Sequence, residues 1–471
     1  MTKEFSNTKS SIDSILSYIN ENNISFIEFR FIDLFGNNFR ILKPVKMVNY
    51  DSFVEGFTFD GSSIDGWKNI NNSDTLAIPD ASSYFIDEFA SMPTLVIFCY
   101  IMSDCGVNLY NRDPKTVAFR AQKYLQTLGI ADVAYFGPEL EFFMFDSFSS
   151  KISSYETNFV IDSVEMKGKN AGTGYEIAPK TGYFATTPRD SMGDIMIDMV
   201  NSLENAGLTI ELFHREVATA QAEIGFKYSD LMGAATNCYI YKNVVKNVAQ
   251  NYGKTATFMP KPIFGDNGSG MHVHQSLWKD GKNLFIGDES CGLSEMALYY
   301  IGGIIKHGKA LNAFCNPTTN SYKRLVPGFE APVILAYSEC NRSASIRIPK
   351  ITTPNAKRIE VRFPDTSANS FLAMSAMLMA GLDGIKNKIK PGAETNENLY
   401  ELPDEQKNKY PVVSGSLNEA LNELNNSRSI FTVGGVFTDD LIDSFIKYKT
   451  EESKYIDMIP TPIEFEKYYS C

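Results

Sequence analysis

The chain has 471 residues, 44% apolar and 13% aromatic, which supports a large packed core divided among two or more domains. Its 44 Lys+Arg against 56 Asp+Glu leave a net charge of −12, and no basic run of the kind that tracks a phosphate backbone occurs, so nucleic acid is excluded as an expected partner. Seven cysteines without CxxC or CxxH spacing read as reduced thiols, and the polar stretch after Met1 with no long apolar run reads as a soluble, cytoplasmic protein without membrane contact.

In chain order, Ile12, Ile15, Leu16 and Ile19 at helical spacing predict a helix over Ser11 to Asn20. A strand follows over Ile24 to Ile32, where Ile27, Phe29 and Phe31 alternate with Glu28 and Arg30, and Gly36-Asn37-Asn38 turns into a second strand over Phe39 to Leu42. Thr94 to Ile101 is a further strand, closing a small N-terminal unit over residues 1–112. Asp113 as N-cap, Pro114 at the first helical position and Gly129 past the end delimit the first helix of a second unit, 113–471. Helical periodicity recurs over Ser191 to Asn205, Ser229 to Tyr252, Leu293 to Ala310, Ala368 to Lys386 and Thr438 to Tyr455, with Gly207 and Gly253 placed for C-caps. The Met-rich run Ala373 to Ala380 reads as core, and the aromatic tail Phe465-Glu466-Lys467-Tyr468-Tyr469 as a segment that docks on a partner subunit.

Between the helices lie three period-two sets. Asn267-Gly268-Ser269-Gly270-Met271-His272-Val273-His274 carries two of the four histidines, Glu139-Leu140-Glu141 opens a strand running to Phe145, and Arg358-Ile359-Glu360-Val361-Arg362 alternates charge with apolar residues. On a strand, positions two apart share a face, so each set aims its polar groups one way. Glu139-x-Glu141 alone fits a solvated strand face as well as a site. Together with Glu216, Glu223, Glu360 and His272 it points to one pocket, where like charges at close range require divalent cations, and oxygen-rich donors with one imidazole favour Mg or Mn over Zn. There is no P-loop and no dinucleotide fingerprint. A bound nucleotide must therefore be held by metals and by arginines, of which Arg324, Arg342, Arg347, Arg358 and Arg362 are grouped within one stretch.

These segments, with Phe59-Asp60-Gly61-Ser62-Ser63-Ile64, Phe136-Gly137-Pro138, Lys261-Pro262 and Asn316-Pro317-Thr318-Thr319-Asn320-Ser321-Tyr322-Lys323-Arg324, resemble nearly end to end the bacterial type I glutamine synthetases of the beta-type subfamily. The resemblance implies an α+β fold: an N-terminal β-grasp domain, and a catalytic domain with a large curved antiparallel sheet surrounded by helices. It also implies a homododecamer of two stacked hexameric rings, active sites between neighbouring subunits, and a C-terminal tail clasping the opposite ring. The implied reaction is ATP-dependent ligation of ammonia to L-glutamate through γ-glutamyl phosphate, a central step of nitrogen assimilation.

Carried over by position, one ion falls to Glu141, Glu216 and Glu223, and the other to Glu139, His272 and Glu360. His274, Arg342, Arg347 and Arg358 would face ATP, with Arg342 also catalytic, and Asn267, Gly268, Arg324 and Arg362 would hold glutamate. Asp60, with Ser63, from the adjacent subunit and Glu330 on the flap Val326-Pro327-Gly328-Phe329-Glu330 would form the ammonium pocket and base. Tyr400 in Asn398-Leu399-Tyr400-Glu401-Leu402-Pro403 corresponds to the tyrosine that an adenylyltransferase modifies in such enzymes.

The chain departs from the family pattern at three places. Arg215 replaces a histidine before Glu216 and is expected to set a cation beside the site; Ala220 replaces a glycine in the following turn; Asn355 and Lys357 replace cations of a Pro-Lys-Ala-Arg-Arg segment, with one adenosine-side charge lost. Two rival readings remain at this level: a γ-glutamyl-amine or polyamine ligase of the same fold, expected to lack the ammonium pocket, and an inactive structural or regulatory relative, expected to lack metal ligands.

Overall fold

Two sheets organise the protein in the computed structural model, which describes residues 5–68, 70–103, 106–168, 174–327, 329, 331–395 and 397–471. The first contains β1 (Phe26–Ile32), β2 (Asn38–Pro44), β3 (Phe57–Asp60), β4 (Asp74–Asp87) and β5 (Thr94–Met102), in the order β2-β1-β5-β4-β3. β1 runs parallel to β5 and the other pairs are antiparallel. The helix Lys9–Glu21, capped by the Thr8 side chain on the Ser11 amide, lays Ile12, Ile15 and Ile19 against Ile27, Phe29, Leu95 and Ile97 of this sheet. Two of these strands lie outside the expected elements: β3 alternates Phe57 and Phe59 with Thr58 and Asp60 but over only four residues, and β4 carries no clean alternation.

The second unit contains β6 (Val133–Phe145), the hairpin β7 (Ser147–Ser153) and β8 (Glu156–Asp162), then β9 (Ile210–Arg215), β10 (Gln221–Phe226), β11 (Ser229–Asp230), β12 (Thr255–Thr257), β13 (Met271–Lys279), β14 (Lys282–Asn283), β15 (Tyr337–Glu339), β16 (Ile346–Ile348) and β17 (Ile359–Val361). The main sheet runs β15-β16-β17-β13-β6-β10-β9, with β11 and β12 also on β6 and β14 on β13. β15 and β16 are parallel; its other pairings are antiparallel. One face carries Leu140, Phe142, Met271, Val273, Ile359 and Val361 into the principal core, where the helices collect. Ser370–Lys386, apolar on nearly every side, is sunk among them. The architecture is α+β, as the resemblance implies.

The caps behave as their chemistry predicts. Asp113 accepts from the Lys115 and Thr116 amides and Gly129 ends that helix at φ 66°. Asp230 caps Leu231–Asn251 and Asn369 caps Ser370–Lys386. The segment expected as one helix over Leu293 to Ala310 is two, Glu295–Lys306 and Gly308–Cys315, broken at His307, whose Nε2 lies 2.8 Å from Asp383 Oδ2. The periodic apolar pattern runs straight across that break, so it was invisible in the chain alone. No helix among the described residues is long and apolar enough to cross a membrane.

Candidate functional site

The face of the main sheet opposite the core gathers the three period-two sets. β13 lies between β6 and β17, so His272 stands opposite Glu139, and His274 stands opposite Gly137 on one side and Glu360 on the other. β10 on the far edge of β6 puts Glu223 opposite Glu141 and next to His214, while Arg347 on β16 faces Glu360. Antiparallel pairing thus converts alternation within each strand into rows across the sheet.

Two groups of donor atoms result, each within 4.8 Å of one another: Glu141, Glu216 and Glu223; and Glu139, His274 and Glu360. His272 lies between them, its ring nitrogens 3.6 Å from Glu139, 3.9 Å from Glu141 and 3.9 Å from Glu360. Those separations exceed hydrogen-bond length and match the gap between two ligands of one shared small cation. His274 is engaged differently: Nε2 is 2.8 Å from Glu139 Oε1, and Nδ1 accepts from Arg358 Nε at 3.0 Å. Arg358 can only donate, so Nδ1 is the acceptor of that bond and Nε2 is the nitrogen turned to Glu139. Both nitrogens of His274 are occupied, whereas His272 is poised across a gap.

The electrostatics follow from this crowding. Burial, then the charges of Glu139, Glu141, Glu216 and Glu360, push the Glu223 carboxyl well above the usual glutamate range. Desolvation also acts upward on Glu139 and Glu360, but His274 and His272 beside Glu139, and His274, Arg362 and His272 beside Glu360, hold both below it. Arg347 Nη1 donates to Glu360 Oε2 at 2.6 Å, and Arg362 Nε is 3.0 Å from Oε1. Buried carboxylates crowded this closely are relieved by a cation, and this donor chemistry fits hard divalent ions.

Gln221, which sequence reasoning missed, ties the first group together. Its Nε2 donates to Glu141 Oε2 at 2.9 Å and to the Gly268 carbonyl at 3.1 Å, and the Gly270 amide donates to Glu141 Oε2 at 3.0 Å. Gln221 is two residues before Glu223, so the same period-two rule could have found it. Asn267 and Gly268 sit in the loop entering β13, with the Asn267 amide on Asp266 Oδ1. Arg324 is buried and donates to the Phe363 and Pro364 carbonyls at 2.9 and 3.1 Å, bracing the end of the Arg362 segment. Arg362 Nη1 in turn donates to the Arg342 carbonyl.

Beyond His274 the cleft continues into a cavity of about 430 Å³ lined by Tyr135, Gly137, Tyr228, Trp278, Asn355 and Arg358 among others. The Tyr135 ring is 5.7 Å from Trp278 and 5.2 Å from Tyr228. Tyr135, Gly137, Glu139 and His274, Ser276, Trp278 continue the two polar faces outward, a signal not taken up in the sequence. Lys357 also lines this cavity, with its ammonium turned to donate to the Cys291 carbonyl.

The expectation that Arg215 places a cation beside the site is corrected. It is the middle residue of His214-Arg215-Glu216, so it turns to the opposite face beside Ala222, where Glu165 and Asp190 neutralise it. Ala220 does occupy the left-handed region, at φ 61°. Asp60 and Ser63 lie at the end of β3, where Asp60 accepts from the Ser62 amide and hydroxyl at 2.8 and 2.7 Å and from Ser63 Oγ at 3.3 Å. Among the described residues no hydrogen bond or ion pair joins them to the main sheet. Tyr400 is half-buried, with Oη 3.4 Å from the Arg342 carbonyl. Glu330 and Gly328 of the flap lie outside the described residues.

Family models for "Glutamine synthetase, catalytic domain" and "Glutamine synthetase, beta-Grasp domain" match residues 111–468 and 23–104. A glutamine synthetase of Rhizobium meliloti is 53% identical over 97% of this chain and 99% of its own length. One of Escherichia coli K12 is 52% identical over 98% and 100%. Among solved structures, a Plasmodium falciparum glutamine synthetase determined by cryo-electron microscopy superposes with a TM-score of 0.89 at 32% identity, covering 100% of both chains. A GmaS/ADP complex does so at 0.81 and 27%, covering 97% of this chain and 99% of that one.

Proposed function

The chain belongs to the glutamine synthetase family, and we propose that it is the enzyme joining ammonia to the γ-carboxylate of L-glutamate with conversion of ATP to ADP and phosphate. The observation that carries this reading is the pair of donor groups flanking His272 in one cleft, between a set of arginines and an aromatic-lined cavity.

In this reading Glu141, Glu216 and Glu223 hold one divalent cation, Mg or Mn, and Glu139, His272 and Glu360 the other. When bound, the ions offset the charge of the transferred phosphoryl group and orient the oxygens around it. Tyr135, Tyr228 and Trp278 receive the nucleotide base, His274 and Arg358 reach its phosphates, and Arg347 and Arg342 complete the neutralisation. Asn267, Gly268, Arg324 and Arg362 fix glutamate so that its γ-carboxylate attacks the terminal phosphorus. The product of that attack, γ-glutamyl phosphate, has the good leaving group a carboxylate lacks, and ammonia displaces it. Asp60 suits ammonium capture because hydrogen bonds from Ser62 hold its carboxyl below the usual range, so that it stays anionic; Ser63 and Glu330 complete that pocket, with Glu330 as base.

The finer parts of the reading are an assembly of two stacked hexameric rings, sites shared between neighbours, domains meeting near residue 112, cytoplasmic location, and adenylylation at Tyr400 by an adenylyltransferase. The assembly and the shared sites are supported by Asp60 lying on the smaller sheet, apart from the main sheet that carries the donor groups, and by Phe465, Tyr468 and Tyr469 standing exposed. ATP-dependent phosphate release with glutamate, comparing ammonium, methylamine and putrescine, tests the reaction. Preference for ammonium is expected; preference for an amine assigns the chain to amine ligation, and no release with any acceptor assigns it to an inactive relative.

A further inference from the structure

Loop 216–220 joins β9 to β10 and carries a donor residue at its start, Glu216, with Gln221 at its end holding Glu141. The Thr219 amide donates to Asp266 Oδ2 at 3.0 Å and the Met144 amide to the Ala220 carbonyl at 2.9 Å, yet Ala220 itself sits at φ 61°, a conformation that residues with a Cβ rarely adopt. The anchor is underneath. Arg215 and Glu165, both side chains 1% exposed, form a two-pronged ion pair at 2.5 and 2.6 Å, and Arg215 Nη1 also donates to Asp190 at 2.8 Å. From that pair two bonds rise into the loop: Glu165 Oε2 accepts the Ala220 amide at 3.0 Å, and Arg215 Nε donates to the Gln221 carbonyl at 3.0 Å. The Glu216 amide donates to the same Gln221 carbonyl at 3.0 Å.

Backbone contacts close the collar. The Gly182 amide donates to the Val217 carbonyl at 3.0 Å, and a Cβ on Gly182 would stand 2.6 Å from the Glu216 carbonyl oxygen. Ala218 and Ala220 rest on Phe143 and Phe145, which lie on the same face of β6 as Glu139 and Glu141.

We propose that the buried Arg215–Glu165 pair is a positioning device for the first donor group: it locks Ala220 in its left-handed conformation and so sets where Glu216 and, through Gln221, Glu141 present their oxygens. Arg215 and Glu165 are positioning residues that touch no substrate. Two charge-assisted bonds into one loop give the strength required, since a hydrogen bond with an ionised partner is shorter and roughly twice as strong as a neutral one. The inference rests on the reading that Glu141, Glu216 and Glu223 bind a divalent cation.

Mn²⁺ binding to the full-length protein, followed by calorimetry without substrates and alongside thermal unfolding, tests it. Glu165→Gln keeps the shape of the side chain and removes the charge that holds Arg215 and Ala220; Mn²⁺ affinity is expected to fall about 10- to 100-fold, the range for groups that orient metal ligands. Adding Ala220→Gly to Glu165→Gln is expected to restore most of that loss, because glycine takes positive φ without an anchor. A folded Glu165→Gln protein with wild-type affinity overturns the proposal, and so does a loss that Ala220→Gly leaves unrelieved. If Glu165→Gln does not fold even with Ala220→Gly, the pair serves the core and the proposal also falls. Failure of the wild-type protein to bind Mn²⁺ at all is a different result, and it removes the metal reading itself.

Discussion

His274 and Glu139 meet across neighbouring strands, Nε2 to Oε1 at 2.8 Å, while Arg358 donates to the other ring nitrogen of His274 at 3.0 Å. His272, two residues earlier and on the same face, has three carboxylates at 3.6 to 3.9 Å, drawn from both donor groups. The two imidazoles are therefore distinguishable, one engaged at both ring nitrogens and one left facing a gap.

That difference sets the first prediction. His272→Ala and Glu360→Ala should each reduce synthesis to background and weaken binding of one divalent ion by at least about 10-fold. His274→Ala should leave both ions bound and raise the KM for ATP. Counting bound Mn²⁺ by titration separates the three variants. Near-normal turnover of His272→Ala and Glu360→Ala at saturating Mg or Mn would refute the two-ion assignment.

The raised Glu223 carboxyl sets the second. A group whose folded pKa lies above its unfolded value contributes stability that is fully present below the unfolded value and is lost as pH rises through the folded one. Metal-free protein should therefore lose stability as pH climbs from the ordinary glutamate range, and saturating Mg or Mn should reverse that loss. Binding should also release a proton, so that calorimetry in buffers of different ionisation enthalpy gives different apparent heats. Equal heats in all buffers across the acid range would count against a protonated Glu223.

A shared site sets the third. Asp60→Asn and Arg342→Ala chains, each expected to be inactive, should regain part of the activity when mixed, dissociated and reassembled. Some interfaces then pair an intact smaller sheet with an intact main sheet. Verified mixed oligomers without any recovery would place both residues in one chain's own site.

Tyr400 sets the fourth. The neighbouring Leu399 amide donates to Ser343 Oγ at 3.0 Å, so this turn is docked on the segment that carries Arg342. An adenylyl group there adds bulk and negative charge beside an arginine assigned to phosphate, and activity should fall with a changed metal preference. Intact-mass measurement and peptide mapping of protein from nitrogen-replete native cells should find the modification on Tyr400. Its absence under all nitrogen conditions would leave metabolite feedback as the means of control.

Local physical chemistry was readable in the chain. Asp113, Pro114 and Gly129 delimit a helix because capping is a matter of a few adjacent residues, and Glu139-x-Glu141 or His272-x-His274 share a face because a strand repeats every two. What alternation cannot supply is which strands become neighbours and in what register, since that depends on contacts far apart in sequence. Tertiary structure therefore decided that Glu223 stands opposite Glu141 and Glu360 opposite His274. It also decided that Arg215, flanked by site residues, is committed to Glu165 beneath the sheet, because only the folded chain brings a carboxylate 50 residues away into the core to meet it.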